Sequence, residues 1–443
     1  DPFARDANNG LTTNLPIIYP FTNNDPGTGF FGLGFTGLMS NGSTNYLDFF
    51  DSANLDAGGA SGKFTIDNVT EGDPFAKNNI NNQDYGFLFG INVDQNSNPF
   101  TVHSRLEPPY FSVGGSSATP VNFQSWGIFI GTGDQDNYVK IVFNANNGQG
   151  GIQIFKEADG SDSETILGPS FGGVNILNAS QVDVYLSVNP AALSVQPKVS
   201  LDGGLTILPV GPAVSIPASW LSSSDNKGLA VGVISTSIGQ NASPFTATWD
   251  FINVTEDEPD NSTNSEAKAF FEAKPPYGGL IGASTWTPKS FTITNESASN
   301  SGIEITQVSL DISTAVIPNV AFDPFGTAGD KVGKDFDPNE NSNGVGLNGH
   351  SLEKPIGNGG FQKIVINFTD FDPQETFKFS IDADPISTEG FETSGADDQG
   401  SISGLEMVGG IVQVKFSDGT TFTNKLYSDN SNEGAYARLQ ILS

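Results

Sequence analysis

Apolar and polar residues alternate along most of this 443-residue chain. A period of two is typical of β-strands that bury one face, whereas helices bury residues three or four positions apart. Alternating runs such as Ser125–Gly131, Val182–Val188 and Phe245–Val254 recur at intervals of about ten residues, separated by Gly, Asn, Asp and Pro. This pattern predicts an all-β protein built from antiparallel sandwiches.

A change in composition predicts where the chain divides into domains. Residues 255–266 contain no apolar residue, carry several acidic side chains and include Pro259, as linkers do. We predict a first β-sandwich over residues 30–254 and a smaller antiparallel β-sandwich over residues 267–443. Residues 1–29 are expected to form an extended N-terminal arm, because prolines interrupt their apolar run.

Three local patterns in the second region carry further predictions. In the run from Ile303 to Ile312 the apolar parity shifts, which predicts a β-bulge near Thr306 or Gln307. Residues 321–358 are rich in Gly, Asn and Asp and predict a long acidic loop, and such loops are usually functional or disordered. Alternation after Thr376 places Asp382 and Asp384 on a solvent-facing side.

The charge balance excludes some partners. The chain has 50 acidic and 19 basic residues and a net charge of −31, which argues against nucleic acids and anionic membranes. No apolar run of about 18 residues predicts a membrane span. The absence of Cys, the low content of charged residues and a start without Met indicate an exported protein, located outside the cell or on its surface.

Several strings in the first region resemble a known family. They are Asp84–Gly90, Trp126–Tyr138, Leu229–Ser237 and Phe245–Phe251. Together they resemble the concanavalin A-like, or laminin G-like, jelly-roll sandwiches of large exported bacterial surface proteins, over about residues 30–254. The second region is similar to a β-sandwich module of unknown activity that accompanies such sandwiches. The resemblance implies binding, adhesion or matrix roles more often than catalysis.

Known catalytic motifs are missing from the sequence. Glucanases of this shape carry Glu-x-Asp-x-x-Glu, because retaining hydrolysis needs two carboxylates about 5 Å apart, and the sequence contains no such string. Gly-x-Ser-x-Gly and His-Glu-x-x-His are also missing. We therefore expect no catalytic residues and a protein that is not an enzyme, with a glycan-active enzyme as a minor alternative.

Acidic loops in the second region are candidates for calcium, which prefers oxygen ligands. Solvated turn residues are the alternative interpretation, since Asp and Asn are common in turns. The candidate metal ligands are Asp323, Asp330, Asp335, Asp337, Asp370, Asp372, Glu375, Asp382 and Asp384.

Five further residues are candidates for glycan contacts. Asp134, Asp136 and Asn137 lie in a turn after a strand, where turn chemistry alone is the alternative explanation. Tyr110 and Trp286 are aromatic residues in predicted loops.

Two functions are compatible with these patterns. The first is a non-catalytic surface or matrix protein for adhesion or glycan binding, assisted by calcium. The alternative is a structural subunit of an extracellular fibre or sheath, a homo-polymer whose contacts are made by residues 1–21.

Overall fold

The computed structural model describes residues 12–13, 15, 17–19, 34–39, 54–58, 63–69, 72, 74, 83, 85–121, 123–221, 228–237, 244–259, 266–276, 284–338, 344–390, 402–431 and 433–440. Over these residues the chain is built of β-strands, which confirms the predicted all-β class. Its helical elements there are short 3-10 turns, at Asn146–Gly148, Ile176–Asn178, Ala218–Leu221, Ile386–Thr388 and Leu405–Met407. None of the helices among the described residues could span a membrane.

The chain divides into two compact units, residues 1–257 and 258–443. The dividing point lies inside the segment 255–266, and the last strand of the first unit extends through Glu256. Thr255 and Glu256 therefore belong to the first sandwich rather than to a linker.

Strands are numbered in chain order. The first unit contains β1 (Thr12–Thr13), β2 (Ile17–Tyr19), β3 (Gly37–Leu38), β4 (Leu55–Gly58), β5 (Lys63–Val69), β6 (Gly86–Ile91), β7 (Phe100–Leu106), β8 (Ser125–Gly131), β9 (Asn137–Asn144), β10 (Gly151–Ala158), β11 (Ser161–Leu167), β12 (Ser170–Phe171), β13 (Val174–Asn175), β14 (Val182–Asn189), β15 (Ser194–Ser200), β16 (Leu208–Pro209), β17 (Val214–Ser215), β18 (Leu229–Thr236) and β19 (Phe245–Glu256).

These strands form two large sheets and one short hairpin, β12–β13. The eight-stranded sheet has the order β1-β6-β18-β8-β9-β10-β11, with β3 also on β6. The nine-stranded sheet has the order β16-β15-β14-β7-β19-β5-β4, with β17 on β15 and β2 on β19. Neighbouring strands pair antiparallel except β1 and β6, which are parallel.

The two large sheets bury a shared aromatic and aliphatic interior. Trp126 of β8 and Trp249 of β19 are both 0% exposed. The Trp249 ring stacks on Phe64 with centroids 5.7 Å apart, and its indole N–H donates to the Gly127 carbonyl at 3.0 Å. Each large side chain buried in this way contributes about 1.5–3 kcal/mol, so this interior holds the face-to-face arrangement of the sheets.

The second unit contains β20 (Ala269–Ala273), β21 (Phe291–Asn295), β22 (Ile305–Asp311), β23 (Val320–Phe322), β24 (Leu347–Ile356), β25 (Gly360–Phe368), β26 (Thr376–Phe379), β27 (Ala383–Pro385), β28 (Ile411–Phe416), β29 (Thr421–Lys425), β30 (Tyr427–Ser428) and β31 (Ala435–Leu439). Its five-stranded sheet has the order β26-β21-β20-β31-β30. Its seven-stranded sheet has the order β27-β23-β25-β22-β28-β29, with β24 on β25.

Of the local predictions for this unit, the bulge is confirmed and the long loop is wrong in part. The register between β22 and β28 shifts between Ile305 and Gln307, which confirms the bulge. The predicted loop 321–358 is wrong in part, because it contains most of β23 and all of β24. Strand β24 is polar and largely exposed, so it has no apolar alternation from which to predict it.

The predicted N-terminal arm is described only in part. Thr12 and Thr13 pair with Gly90 and Ile91, and Ile17–Tyr19 pairs with Val254–Ile252 of the same chain. These short strands extend the sheets of their own sandwich. Apart from Leu15, which packs against the interior of the first sandwich, the other residues of the arm and any contact they make with another subunit lie outside the described residues, so assembly into a fibre stays a prediction.

Candidate functional site

The outer face of the nine-stranded sheet carries a layer of polar side chains. In β7, Val102 and Leu106 face the buried interior, so His103 and Arg105 face outward because alternate side chains of a strand lie on opposite faces. The pairing register places Arg105 beside Asp183 of β14. Neighbouring strands of the sheet thus bring charged residues that are far apart in sequence onto one surface.

A bulge in β19 adds a second carboxylate to this surface. The register between β19 and β7 shifts between Trp249 and Ile252, and both of these residues face the interior. The extra residue leaves Asp250 and Phe251 together on the outer face. Bulges re-aim side chains in this way and are common next to active sites.

The outward carboxylates form one group, which we call the carboxylate cluster: Glu107, Asp183 and Asp250 with Arg105 and Lys63. Arg105 Nε lies 3.4 Å from Asp183 Oδ1, and Arg105 Nη1 lies 3.6 Å from Asp250 Oδ2. Lys63 Nζ donates to Glu107 Oε2 at 2.7 Å. One guanidinium thus connects two of the acids, and an ammonium neutralises the third.

The members of the cluster differ in exposure. Asp183 is fully buried, whereas the Asp250 side chain is 30% exposed and the Glu107 side chain 16% exposed. Asp183 and Arg105 therefore form the floor of the cluster. Asp250 and Glu107 are the carboxylates that a molecule outside the sheet can reach.

Asp250 has the most altered acidity in the cluster. Burial, reinforced by the negative charge of Glu107, raises the pKa of Asp250 to about 6, although Arg105 and Lys63 act in the opposite direction. A carboxyl group with a raised pKa can hold and deliver a proton near neutral pH. Asp250 is therefore suited to general acid catalysis.

The floor of the cluster is held rigidly by aromatic packing. His103 Nε2 is 2.9 Å from Asp183 Oδ1, and the His103 ring stacks on Tyr185 with centroids 4.1 Å apart. Phe251 meets the His103 ring edge-on at 4.8 Å. The second Asp183 oxygen, Oδ2, is buried and has no hydrogen-bond partner. Asp183 thus holds Arg105 and His103 in place through one of its two oxygens.

Sequence reasoning missed this cluster. Its members come from β5, β7, β14 and β19, and from Glu107 directly after β7, and they form no short motif. One signal was present: the apolar positions 245, 247, 249 and 251 of β19 share one parity, whereas 252 and 254 have the other. The change of parity between Phe251 and Ile252 predicts a bulge next to Asp250.

The turn residues predicted to contact glycan mainly bind one another. Asp134 Oδ1 accepts hydrogen bonds from the Asp136 backbone N–H at 3.0 Å and from Asn137 Nδ2 at 3.2 Å. Asn137 Oδ1 in turn accepts the Asp159 backbone N–H at 3.2 Å. These contacts are ordinary turn chemistry.

The two predicted aromatic contacts lie in different surroundings. Trp286 is half-buried, and Lys334 Nζ lies 5.4 Å from the centre of its ring. Tyr110 is only 4% exposed and packs edge-on against Phe143 with centroids 5.1 Å apart. Tyr110 is therefore part of the sandwich interior rather than an exposed loop residue.

The predicted calcium ligands fall into buried and surface groups. Asp323, Asp330, Asp382 and Asp384 are buried, so the prediction that Asp382 and Asp384 face solvent is wrong. The strand that contains Phe377 ends at Phe379, and the chain then turns inward before β27. The other candidates, Asp335, Asp337, Asp370, Asp372 and Glu375, are exposed or half-buried.

Backbone N–H groups hydrogen-bond to the carboxylate of one of these buried residues, Asp323. Asp323 Oδ2 accepts the backbone N–H groups of Ala328 and Gly329, each at 2.8 Å. Among the described residues, no three His, Asp or Glu side chains are arranged to hold a metal ion. Calcium binding stays a prediction.

Comparison with known proteins gives structural matches alone. No protein-family model matches the sequence, and no curated protein sequence matches it. A xylan β-1,4-xylosidase from Bacillus halodurans C-125 is similar at a TM-score of 0.31 and 16% identity, over 44% of this chain and 33% of the xylosidase. The chain thus spans about a third of that enzyme.

Two smaller enzymes are matched over more of their length. The catalytic domain of a glycoside hydrolase family 131 protein from Coprinopsis cinerea is 11% identical with a TM-score of 0.27, over 44% of this chain and 70% of that domain. A non-specific endo-β-1,3(4)-glucanase from glycoside hydrolase family 16 is 10% identical with a TM-score of 0.28, over 46% of this chain and 78% of the enzyme.

The functional prediction is corrected by this comparison. A non-catalytic adhesion or glycan-binding protein, and a chain that is not an enzyme, were the expectations from sequence; the matched structures are glycoside hydrolases instead, and neither expectation is kept. A missing Glu-x-Asp-x-x-Glu string excludes one arrangement of carboxylates on a single strand, and carboxylates from separate strands meet in this fold. At these TM-scores the similarity assigns no activity to this chain, and any activity depends on its own side chains.

Proposed function

We propose that the protein is a glycan-active hydrolase that uses the carboxyl groups of Asp250 and Glu107. The observation that carries the proposal is the pairing of two reachable carboxylates in different electrostatic surroundings. Asp250 has a pKa raised to about 6, and Glu107 is neutralised by Lys63 at 2.7 Å. Glycosidases need one carboxyl group that holds a proton and one that is ionised.

The roles follow from these surroundings. Asp250 donates its proton to the glycosidic oxygen as the bond to the leaving sugar breaks. Glu107, which accepts a hydrogen bond from the Lys63 ammonium group, takes a proton from the attacking water or adds to the anomeric carbon itself. Arg105 contacts Asp250 and Asp183 and positions the acid.

The test is the release of reducing ends from soluble polysaccharides. Xylan and β-1,3(4)-glucan are suitable first substrates, because similar structures are named for them. We expect Asp250→Asn and Glu107→Gln each to lower kcat by about 10²–10⁴-fold, the usual contribution of a general acid or base. Wild-type activity is expected to fall above pH 6, as Asp250 loses its proton.

Asp162→Asn provides the matched control. It makes the same chemical change on β11, an exposed strand of the other sheet, and should leave kcat unchanged. Equal activity of wild type and Asp250→Asn, or equal losses in Asp250→Asn and Asp162→Asn, would contradict the proposal.

Three expectations from the sequence accompany this function as proposals. An extracellular location suits an enzyme that acts on polysaccharides. The concanavalin A-like assignment of residues 30–254, with an accompanying module at 267–443, is kept as the finer description of the fold. Calcium binding by the second unit is tested by comparing its unfolding temperature in calcium chloride and in chelator.

A further inference from the structure

His103 is a buried histidine to which the proposed reaction gives no part. It lies on β7, between Tyr185 of β14 and Asn253 of β19 in the pairing register. Its Nε2 atom is 2.9 Å from Asp183 Oδ1. Because a carboxylate only accepts hydrogen bonds, Nε2 carries the hydrogen and donates it. His103 therefore donates to the same carboxylate that contacts Arg105.

His103 and Arg105 share one oxygen of Asp183. Arg105 Nε lies 3.4 Å from Oδ1, the atom that accepts from His103. The other oxygen, Oδ2, is buried and has no hydrogen-bond partner among the described residues. An arginine and a carboxylate favour a bidentate contact, in which two N–H groups meet two oxygens. That contact is not made with Asp183, and Arg105 Nη1 lies 3.6 Å from Asp250 Oδ2 instead.

The packing around His103 explains why the bidentate contact does not form. The imidazole ring stacks on Tyr185 with centroids 4.1 Å apart, and Phe251 meets it edge-on at 4.8 Å. Since the ring is fixed on two sides, its hydrogen bond keeps the Asp183 carboxylate from rotating toward the guanidinium. Without that bond, Asp183 would turn both oxygens to Arg105 and draw Nη1 away from Asp250.

We propose that His103 is a positioning residue for the general acid, because its hydrogen bond to Asp183 directs the Arg105 guanidinium to Asp250. The inference rests on the proposed function, since it gives a part in that reaction to a residue that does not touch the substrate. It also makes a prediction about the acidity of Asp250 that holds whether or not the protein is a hydrolase.

The acidity of Asp250 reports where Arg105 lies. Four charged residues act on Asp250 from the neighbouring strands: Lys63 of β5, Arg105 of β7, Glu107 directly after β7, and Asp183 of β14. Burial raises the pKa of Asp250 most, and Arg105 opposes this rise more than Lys63 does. Displacement of Arg105 toward Asp183 should therefore raise the pKa of Asp250 further.

The experiment follows the titration of the Asp250 carboxyl group by NMR in the full chain labelled with ¹³C-aspartate, and Asp250→Asn identifies the resonance. His103→Phe removes the hydrogen bond and keeps a flat ring beside Tyr185. We expect the titration midpoint of Asp250 to move to higher pH by about one pH unit in this variant, because an opposite charge is drawn away.

Activity provides a second measurement on xylan and β-1,3(4)-glucan. His103→Phe should lower kcat by about tenfold or more and leave KM nearly unchanged, since misplacement of a catalytic group affects the transition state rather than substrate binding. The falling limb of its pH profile should move to higher pH together with the Asp250 titration. A role in packing alone would lower stability and leave this limb in place.

Three further variants separate the hydrogen bond from packing. His103→Gln keeps an N–H donor near the position of Nε2 and should retain the wild-type titration of Asp250 and most of kcat. His350→Phe makes the same change at an exposed histidine of β24 and should alter neither. Arg105→Gln removes the guanidinium, so His103→Phe should have no further effect on the Asp250 titration in that background.

Circular dichroism in the near ultraviolet checks that each variant is folded. If His103→Phe does not fold, the smaller His103→Leu takes its place, because leucine also lacks a hydrogen-bond donor. An unchanged Asp250 titration in the folded variant would overturn the inference. So would equal shifts with and without Arg105, or a shift in His103→Gln as large as in His103→Phe. The expected titration in a protein that hydrolyses no glycan would contradict the proposed function alone.

Discussion

At the scale of single residues, the surroundings of Asp250 decide its chemistry. It lies on a bulge beside Arg105 and within the electrostatic influence of Glu107 and Lys63. Burial is the largest influence on its pKa and favours the protonated form. A nearby carboxylate acts in the same direction, since two negative charges in one site repel each other.

The raised pKa predicts how Asp250 affects stability with pH. Because the folded chain binds this proton more tightly than the unfolded chain, the stabilisation is complete below a pH of about 3.8 and is lost as the pH rises through about 6. Asp250→Asn removes the titration. Relative to wild type, the free energy of unfolding of this variant should rise by about 2 kcal/mol between pH 4 and pH 7, as measured by urea unfolding.

Asp162→Asn on the exposed β11 controls for the loss of one charge. Its free energy of unfolding should follow that of wild type at every pH. If Asp250→Asn and Asp162→Asn show the same pH dependence, the carboxyl group of Asp250 is not perturbed by its surroundings.

At the scale of elements, glycines allow the central strands of the eight-stranded sheet to lie close together. A Cβ atom at Gly232 of β18 would lie 1.9 Å from the Phe87 carbonyl oxygen of β6 and 2.9 Å from Leu88 Cα. At Gly127 of β8 a Cβ atom would lie 2.2 Å from the Ile141 carbonyl oxygen of β9. Real Cβ atoms do not approach backbone atoms this closely, so only glycine fits at these two positions.

Gly232→Ala is therefore expected to be strongly destabilising. Strands β18 and β6 would have to separate, and we expect a loss of about 3 kcal/mol or more in the free energy of unfolding. Gly160→Ala is the comparison, because a Cβ atom there has open space and only the positive φ of 75° opposes it. That change should cost about 1 kcal/mol. Similar losses in the two variants would show that β18 and β6 can move apart at little cost.

At the same scale, the alternation of apolar residues predicts some features of the strands and misses others. The parity shift inside β22 predicts its bulge, and the structure confirms it. An equivalent shift occurs in β19 beside Asp250, but it is absent from the predictions made from sequence. Most side chains of β24 are exposed, so its sequence shows no alternation of apolar and polar residues. Only its pairing with β25 in the structure identifies it as a strand.

At the scale of the whole molecule, the net charge of −31 dominates the electrostatics. Like charges on a compact chain repel one another, and dissolved salt screens that repulsion over about 10 Å at 0.1 M compared with about 30 Å at 0.01 M. We expect the unfolding temperature at pH 7.5 to rise by roughly 2–6 °C between 10 mM and 500 mM sodium chloride, as followed by calorimetry.

The same measurement at pH 4.1 is the control. That is the isoelectric point of the chain, where its net charge is close to zero, so the effect of salt should largely disappear. An equal rise at both pH values would mean that salt acts on the protein by a route other than screening.

The sequence by itself determined the fold class and the burial of Trp126 and Trp249. Both depend on alternation along single strands, which is a local property. Trp126 and Trp249 share parity with their apolar neighbours, and both are fully buried.

Only the tertiary structure decided the function that this chain supports best. Asp183 lies on β14, Asp250 lies on β19 and Glu107 directly follows β7, and the three residues meet because these strands are neighbours in the nine-stranded sheet. Strand order is a property of the whole sandwich, set by how all strands share one interior, and no short motif encodes it. The acidity of Asp250 is decided in the same way, since burial and the charge of Glu107 act on it only once the sheet has formed.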